Sequence, residues 1–115
     1  MTDTFGPYPA KVTAVHDGDT MTLLLDLGFN ISFESACRVY GINAPELITP
    51  EGVDARTFAL TLVAPGDQVT VVSHGWDKFG GRFDGEVTLA DGRLFGQVMI
   101  ANGHAKPYFG KGPKP

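Results

Sequence analysis

An Asp-Gly dipeptide between two apolar, β-branched runs constrains the fold of this chain more than any other feature. The runs are Ala10–Val15 and Met21–Leu27, and Asp17-Gly18-Asp19 lies between them. Because Asp-Gly readily adopts the backbone conformations of a tight turn, this pattern is a strong short-range signal for two paired antiparallel strands. We therefore predict that the fold begins with a β-hairpin.

Segments with strand character continue along most of the chain. A third strand is predicted over Ile31–Tyr40 and is expected to end at Ala44-Pro45, because proline cannot donate a hydrogen bond to a sheet and restricts its predecessor. Two more strands are predicted over Gln68–His74 and Gly85–Ala90. The 15 glycines and 8 prolines supply the turns that short strands require.

Two short helices are predicted among these strands. Thr49 is a suitable N-cap with Pro50 at the first helical position, and Pro65-Gly66-Asp67 is expected to close this helix. Its apolar residues do not follow one clean helical stripe, so its length is poorly defined by pattern. The second helix is predicted over Leu94–Ala101 and ends at Asn102-Gly103.

The predicted element order, β-β-β-α-β-β-α, indicates a fold class. Three meandering strands, a helix and two further strands are the order of a five-stranded OB-type barrel. We therefore predict a single, mainly β domain with two short helices over residues 1–115. Its core is expected over about residues 10–108, with a flexible tail at residues 110–115.

Charge and cysteine content narrow the classes of function. The chain has 9 Lys and Arg against 13 Asp and Glu, a formal net charge of −4, which argues against a broad basic surface for nucleic acid. A nuclease that binds phosphate through a few local cations stays compatible with this charge. The single cysteine, Cys37, excludes an internal disulfide and suits a reducing compartment. With no leader peptide and no membrane span predicted, we expect a cytoplasmic protein.

Three segments carry groups suited to phosphodiester cleavage. They are His16–Thr20, Arg38–Glu46 and Asp77–Arg82. Carboxylate and carbonyl oxygens are the ligands that hard divalent cations prefer, and planar guanidinium groups can donate paired hydrogen bonds to phosphate oxygens. Together the segments predict a divalent cation held beside a phosphate whose developing charge is neutralised by two arginines.

Both arginines also have a structural interpretation. An arginine within an apolar strand is rarely buried without a partner, so Arg38 can form an ion pair with Glu34 or Glu46. Arg82 has nearby carboxylates of its own, which are Asp77, Asp84 and Glu86. An ion pair and a phosphate-binding role are compatible if the pair opens when substrate binds.

Several other residues allow more than one interpretation. Asp17 and Asp19 suit a tight turn, although a turn needs only one aspartate, and Glu46 can be a solvated loop carboxylate. Tyr108 can pack against the barrel or stack on a base. Cys37 is predicted to be a buried, inert thiol. Three scattered histidines lack metal-ligand spacing and are expected to serve in packing or at the surface: His16, His74 and His104.

These segments resemble motifs of the staphylococcal nuclease-like (thermonuclease) family, which comprises calcium-dependent nucleases with an OB fold. The first two motifs are Val-Xaa-Asp-Gly-Asp-Thr at the hairpin and Arg-Xaa-Xaa-Gly-Ile-Xaa-Ala-Pro-Glu after the third strand. Asp-Lys-Phe-Gly precedes the fifth strand, and Gly103-His104-Ala105-Lys106 follows the second helix. The resemblance covers about residues 10–108, with all four motifs in order.

The resemblance implies a role for each matching position. Calcium would be bound by Asp19, Asn43 and the backbone carbonyl of Ala44. Glu46 would orient or deprotonate the attacking water. The scissile phosphate would be contacted by Arg38 and Arg82. A nucleotide-binding rim would be formed by Lys78, Phe79 and Tyr108.

Two positions depart from the family pattern. Asn43 stands where the family usually has Asp, which removes one negative charge and implies weaker calcium binding. Gly81 is an extra residue before Arg82, so the reach of that arginine depends on how the loop accommodates it.

The resemblance thus implies a calcium-dependent nuclease that hydrolyses DNA or RNA, with single-stranded or flexible substrates and no obligate protein partner or membrane. Small size and the absence of a leader suggest a bacterial or phage origin. The alternative is a catalytically weakened or inactive OB-fold module that binds single-stranded nucleic acid or a protein partner.

Overall fold

The computed structural model describes residues 4–109. The predicted hairpin forms the first two strands of a closed five-stranded barrel. The elements are β1 (Phe5–Val15), β2 (Thr20–Asp26), β3 (Ser32–Val39), β4 (Ile42–Asn43), α1 (Pro50–Leu62), β5 (Gln68–Trp76), β6 (Arg82–Thr88), α2 (Phe95–Ala101) and β7 (Lys106–Pro107). The barrel strands follow the order β1-β2-β3-β6-β5, and β4 pairs with β7 in a separate two-stranded sheet. The main elements confirm the predicted OB-type barrel and its order.

One parallel contact closes the barrel. Strand β3 runs parallel to β6, which brings Ala36 beside Arg82 and Arg38 beside Asp84. The other neighbouring strands are antiparallel. The crossover between β3 and β6 contains α1 and β5, as a parallel connection requires. This closure places charged residues of two distant chain segments side by side.

The core is formed by the inward faces of the barrel strands and by α2. Alternate residues such as Val12, Leu23 and Val71 are completely buried, as the period-two geometry of strands dictates. Phe95 and Met99 of α2 are equally buried. Cys37 lies in this core, as predicted, and burial raises the pKa of its thiol far above the usual range.

Small residues explain why α1 has no apolar stripe. Thr49 caps the helix as predicted and accepts a hydrogen bond from the Gly52 amide at 3.0 Å. The buried positions of α1 are Gly52, Ala55 and Ala59, spaced three and four residues apart on one face. Because their side chains are short, the helix approaches the barrel closely without large apolar residues.

Several element boundaries differ from the predictions. Strand β1 begins at Phe5 rather than Ala10, and β6 begins at Arg82 rather than Gly85. The third strand ends at Val39, before Gly41 with a left-handed φ of 87°, and not at Ala44-Pro45. Local composition did not reveal these boundaries because strand pairing with distant segments sets them.

Two further points complete the comparison with the predictions. The short strands β4 and β7 were not anticipated from the sequence. Neither α1 nor α2 is long and apolar enough to cross a membrane within the described residues. The predicted flexible tail at residues 110–115 lies outside the described residues.

Candidate functional site

The turn between β1 and β2 holds Asp19 in a fixed orientation. The Asp19 amide donates to Asp17 Oδ1 at 3.0 Å, which is the backbone-mimicking turn that aspartate favours. Asp19 is only 9% exposed, and its Oδ1 accepts a hydrogen bond from the Thr20 hydroxyl at 3.1 Å. Its Oδ2 accepts from the Ala44 amide at 2.9 Å. The turn and the distant Ala44 segment are therefore tied together through one carboxylate.

Gly18 allows this turn to approach the rest of the protein. A Cβ atom at this position would lie 2.8 Å from the Ala44 Cβ and 2.9 Å from the Ala55 Cβ. Its conformation is not left-handed, so the requirement for glycine here is one of space. The Asp-Gly pair therefore serves packing as well as turn formation.

The two aspartates of the turn create a local excess of negative charge. Burial, together with the hydrogen bond and the charge of the neighbouring Asp19, raises the pKa of Asp17 to about 6. A positive charge placed beside the pair would relieve this repulsion. The electrostatics of the turn thus fit a bound cation.

The end of β3 brings Arg38 to the same place. Arg38 lies opposite Thr20 in the β2–β3 pairing, and the Val39 amide donates to the Asp19 carbonyl at 2.8 Å. The Arg38 Nη2 donates to Asn43 Oδ1 at 3.4 Å. Its guanidinium carbon also lies 5.7 Å from the centre of the Tyr108 ring.

The alternative interpretation of Arg38 as one half of an ion pair can be compared with these contacts. Within residues 4–109, neither Glu34 nor Glu46 approaches Arg38 to ion-pair distance. The guanidinium is instead held between an amide oxygen and an aromatic face.

Glu46 is positioned by the start of α1. Its carbonyl accepts hydrogen bonds from the Thr49 amide at 2.9 Å and from the Thr49 hydroxyl at 2.7 Å. Gly52 makes this possible, since a Cβ there would overlap the Glu46 carbonyl. The main chain of Glu46 is therefore anchored while its residue as a whole stays exposed.

Arg82 enters the site from the β5–β6 hairpin. The Asp77 amide donates to the Arg82 carbonyl at 2.9 Å, which closes the loop at the ends of the two strands. Gly80 and Gly81 both have left-handed φ angles, 75° and 77°, so the loop absorbs the extra glycine and Arg82 still begins β6. The Arg82 Nε lies 3.5 Å from Asp77 Oδ2, as one structural interpretation anticipated.

Asp84 is a further ionisable residue near the two arginines, and the sequence did not predict its position beside Arg38. It lies beside Arg38 across the β3–β6 pairing, and its Oδ1 is buried without a hydrogen-bond partner among the described residues. Burial and the nearby Asp77 carboxyl raise the pKa of Asp84, against the opposing charges of Arg38 and Arg82. Two-residue alternation after Arg82 could have placed it on the same face, had β6 been extended to that residue.

Asp77 titrates in the opposite direction. Burial acts to raise its pKa, but the hydrogen bond from the Phe79 amide, the Asp84 side chain and the charge of Arg82 outweigh it, so the pKa lies below the usual range. Asp77 is therefore anionic, and it lies near Asp84, whose carboxyl group holds its proton more strongly.

Two adjoining clefts gather the predicted site residues. The first, which we call the acidic cleft, has a volume of about 430 Å³. It is lined by Asp17, Asp19, Thr20, Arg38, Asn43, Ala44, Pro45, Glu46, Leu47 and Arg82. All six predicted catalytic and metal-binding positions, from chain segments up to 63 residues apart (82 − 19), therefore line one cavity.

The second cavity, which we call the rim cleft, also measures about 430 Å³ and contains the predicted substrate-binding residues. Arg38 and Arg82 line both clefts. Lys78, Phe79 and Tyr108 line the rim cleft but not the acidic one. Trp76 and Tyr40 are further aromatic residues of the rim cleft that sequence reasoning did not single out.

The short sheet β4–β7 places Tyr108 in the rim cleft. Asn43 pairs with Lys106, and the Tyr108 amide donates to the Gly41 carbonyl at 2.9 Å. Because Gly41 has no side chain, the Phe109 ring lies directly against it. The segment after α2 therefore forms one wall of the site.

Two of the three histidines stack on aromatic rings, and the third lies at the surface. His74 stacks on Tyr40 with ring centres 3.7 Å apart, and His104 stacks on Phe58 at 4.7 Å. His16 contacts the Thr22 hydroxyl at 2.7 Å.

The donor chemistry of the acidic cleft suits a hard cation only if more than carboxylates take part. Among residues 4–109, no three His, Cys, Asp or Glu side chains are grouped closely enough to hold a metal ion. A cation would therefore also need the Asn43 amide oxygen and a main-chain carbonyl, both of which are hard oxygen ligands. The chain matches no protein-family model and no curated protein sequence.

Proposed function

We propose that this protein is a metal-dependent phosphodiesterase that hydrolyses DNA or RNA. One observation supports the proposal above the others: a single cleft is lined by two aspartates, an amide oxygen, a glutamate and two arginines. Carboxylates alone would repel a phosphate, and arginines alone would bind it without cleavage. Their combination suits a reaction in which a bound phosphate gains negative charge.

The cation would be held by Asp19, Asn43 and the Ala44 carbonyl, and Ca²⁺ is the ion that the family resemblance implies. When bound, it supplies Lewis-acid polarisation of a phosphate oxygen and orientation of a water molecule. Asn43 contributes no charge, so we expect weaker cation binding than two carboxylates would give.

Side chains of the protein would bind the phosphate and accept the proton of the attacking water. Arg38 and Arg82 border the acidic cleft and would donate hydrogen bonds to the non-bridging oxygens, where planar guanidinium groups give paired contacts. Glu46 would accept a proton from the attacking water, because an exposed carboxylate on an anchored main chain is accessible to solvent and fixed in position. Water would form a new bond to phosphorus while the ester oxygen leaves with the electrons of the broken P–O bond and takes a proton from solvent, so the reaction needs no covalent enzyme intermediate.

The rim cleft would bind the nucleotide next to the scissile phosphate. Phe79 is 78% exposed, and the Lys78 Nζ lies 5.3 Å from the centre of its ring. Exposed aromatic faces beside cations bind single-stranded or flexible nucleic acid through stacking and charge. The buried thiol of Cys37, which needs no oxidising environment, suits a cytoplasmic enzyme.

The proposal is tested by digestion of single-stranded DNA and RNA with calcium and with a chelator. We expect cleavage that requires calcium, and a loss of turnover on the order of 10²–10³ in Arg38→Ala, as for the removal of one preorganised donor. Arg93→Ala is the matched control, because Arg93 pairs with Asp91 at 2.8 Å on an exposed turn. Full turnover in Arg38→Ala, or cleavage unaffected by the chelator, would overturn the proposal.

A non-catalytic module is the second candidate, and the neutral Asn43 favours it. The same experiment separates the two, since a binding module retains oligonucleotides in the presence of calcium without cutting them.

A further inference from the structure

The end of the barrel next to the rim cleft opens into an apolar cavity of about 280 Å³. We call it the mouth, and its main lining residues are Phe5, Tyr8, Leu25, Phe33, Trp76 and Phe83. None of the described residues that line it carries a charge. Three of its aromatic residues remain substantially exposed: Phe5 at 56%, Phe33 at 42% and Trp76 at 63%.

An irregularity in β5 directs Trp76 toward this mouth. Val69 and Val71 are buried, so regular alternation would turn an even-numbered residue such as Trp76 away from the interior. Ser73 pairs with Gly85 and Trp76 pairs with Phe83. Between these two pairs β5 advances by three residues and β6 by two, so β5 contains one extra residue.

The extra residue of this bulge reverses the side on which Trp76 projects. Gly75 adopts a left-handed φ of 90° within the bulge. Residues directly opposite each other in an antiparallel pair project to the same side, and Phe83 is 5% exposed at the end of the core. Bulges commonly redirect a side chain beside a functional site. Here the redirected side chain is an indole that packing leaves mostly exposed.

Trp76 connects the mouth to the candidate active site. It lines both the mouth and the rim cleft, which also contains Arg38 and Arg82. On the mouth side it contacts Phe33 edge to face, with ring centres 6.2 Å apart. The arginines, which can bind a phosphate, therefore lie next to aromatic rings on which a base can stack.

We propose that the mouth is a base-binding subsite, in which an unstacked base of a single-stranded nucleic acid packs against Trp76 while the neighbouring nucleotide lies in the rim cleft with its phosphate at the arginines. This inference rests on the proposed function and names its substrate class. An uncharged, aromatic cavity accepts the flat face of any base, and its volume lies just below the roughly 300–1,000 Å³ of pockets for larger ligands.

A second copy of the chain is a poorer occupant than a base. A stable protein interface buries about 800 Å² on each partner, which a concave mouth of this size does not offer. A base needs only one exposed ring face and a boundary that excludes water.

Trp76 is the only tryptophan in the chain, so its fluorescence reports directly on the subsite. The probe is a 12-residue oligothymidylate added to the full chain in a chelator, so that no cleavage occurs. We expect saturable quenching, and Phe33→Ala should weaken binding of the oligonucleotide about 10-fold, which lies within the range for one base–aromatic stack. Phe29→Ala is the matched control, because Phe29 is 95% exposed and does not line the mouth.

A second substrate separates this inference from the proposed function. Thymidine 5′-(p-nitrophenyl) phosphate carries a single base, which the rim cleft binds, so its cleavage by the wild-type protein with calcium tests the nuclease without the mouth. Two results would overturn the subsite without contradicting the nuclease. The first is cleavage of this ester without quenching of Trp76 fluorescence by the oligonucleotide. The second is equal oligonucleotide affinity in Phe33→Ala and wild type.

Two other outcomes are equally informative. Quenching that is lost in Phe33→Ala, combined with no cleavage of either substrate, would support the subsite and reject the nuclease. A monomer–dimer equilibrium in sedimentation that Phe33→Ala abolishes would overturn the subsite, because the mouth would then bind a second copy.

Discussion

At the scale of single residues, Asn43 determines how much charge the acidic cleft offers a cation. Its Oδ1 already accepts a hydrogen bond from Arg38 at 3.4 Å, so the guanidinium and the proposed cation would share this amide oxygen. A carboxylate at this position would attract both more strongly. The native side chain therefore limits the affinity for a cation without removing the oxygen ligand.

Asn43→Asp should bind calcium about tenfold more tightly, because the affinity of hard cations follows the number of charged ligands. Cleavage should become faster at subsaturating calcium. Isothermal titration calorimetry measures the affinity, and Asn30→Asp, on the β2–β3 turn, adds the same charge elsewhere. Unchanged calcium affinity in Asn43→Asp would mean that position 43 is not a ligand.

Asp84 provides a second prediction at this scale. Since its pKa is raised on folding, the unfolded chain releases its proton at lower pH, and folding loses stability as pH rises through the carboxyl range. Asparagine imitates the protonated form, so Asp84→Asn should be more stable than wild type at pH 7, and this advantage should vanish at pH 3.

Urea denaturation at the two pH values measures the difference in unfolding free energy. Asp91→Asn is a suitable control, because the hydrogen bonds from Arg93 lower the pKa of Asp91 instead, and the sign of its effect at pH 7 should reverse. An advantage of Asp84→Asn that is larger at pH 3 would contradict the assigned direction.

At the scale of elements, α1 positions the candidate general base through its first turn. Thr49 holds the Glu46 carbonyl, and Gly52 leaves room for it. The helix and the loop that contains Glu46 are therefore packed against each other, and a side chain at Gly52 would displace the loop.

Gly52→Ala tests this coupling. The added methyl would overlap the Glu46 carbonyl and lie 2.9 Å from the Leu47 Cα, so the loop must move, and we expect a loss of about 1–3 kcal/mol in unfolding free energy. Because Glu46 moves with the loop, kcat should fall while KM changes little.

Gly96→Ala is the matched control in α2, since the nearest atom to its added methyl is a side-chain methyl of Ile42 at 3.1 Å. It should retain kcat. A Gly52→Ala protein with reduced stability but normal kcat would show that Gly52 serves folding alone.

The sequence predicted those elements that local signals define. Thr49 and Pro50 fixed the start of α1, and Asp-Gly fixed the first hairpin. The strands β4 and β7 have two residues each, and only their pairing across the chain creates them. The direction of Trp76 depends on a bulge whose register is set by β6, and alternation alone predicts the opposite side.

The candidate site likewise contains residues that local motifs predicted and residues whose positions depend on contacts between distant segments. The predicted residues of the acidic cleft were named through the resemblance of three contiguous motifs to a nuclease family, and such motifs can be read locally in the chain. The position of Asp84 beside Arg38 arises from the parallel β3–β6 contact, which joins segments that share no local pattern. Gly52 carried no sequence signal of its importance, because its role depends on the path of a neighbouring loop.

At the scale of the whole molecule, the net charge of −4 predicts weak dependence on salt. Single-stranded binding changes by a slope of about −0.7 per phosphate neutralised, so two or three contacts give a log–log slope between about −1.4 and −2.1. Oligonucleotide binding in a chelator over a series of salt concentrations measures it. A slope steeper than about −4 would indicate a broad cationic surface that the composition argues against.

The pairing of β7 with β4 has a consequence for the order in which the molecule is completed. Translation runs from the N-terminus, and β7 is the last described element to leave the ribosome. Until it docks, Tyr108 is absent from the wall that faces Arg38. The wall of the rim cleft that faces Arg38 is therefore completed only after the last described strand has been synthesised and has docked.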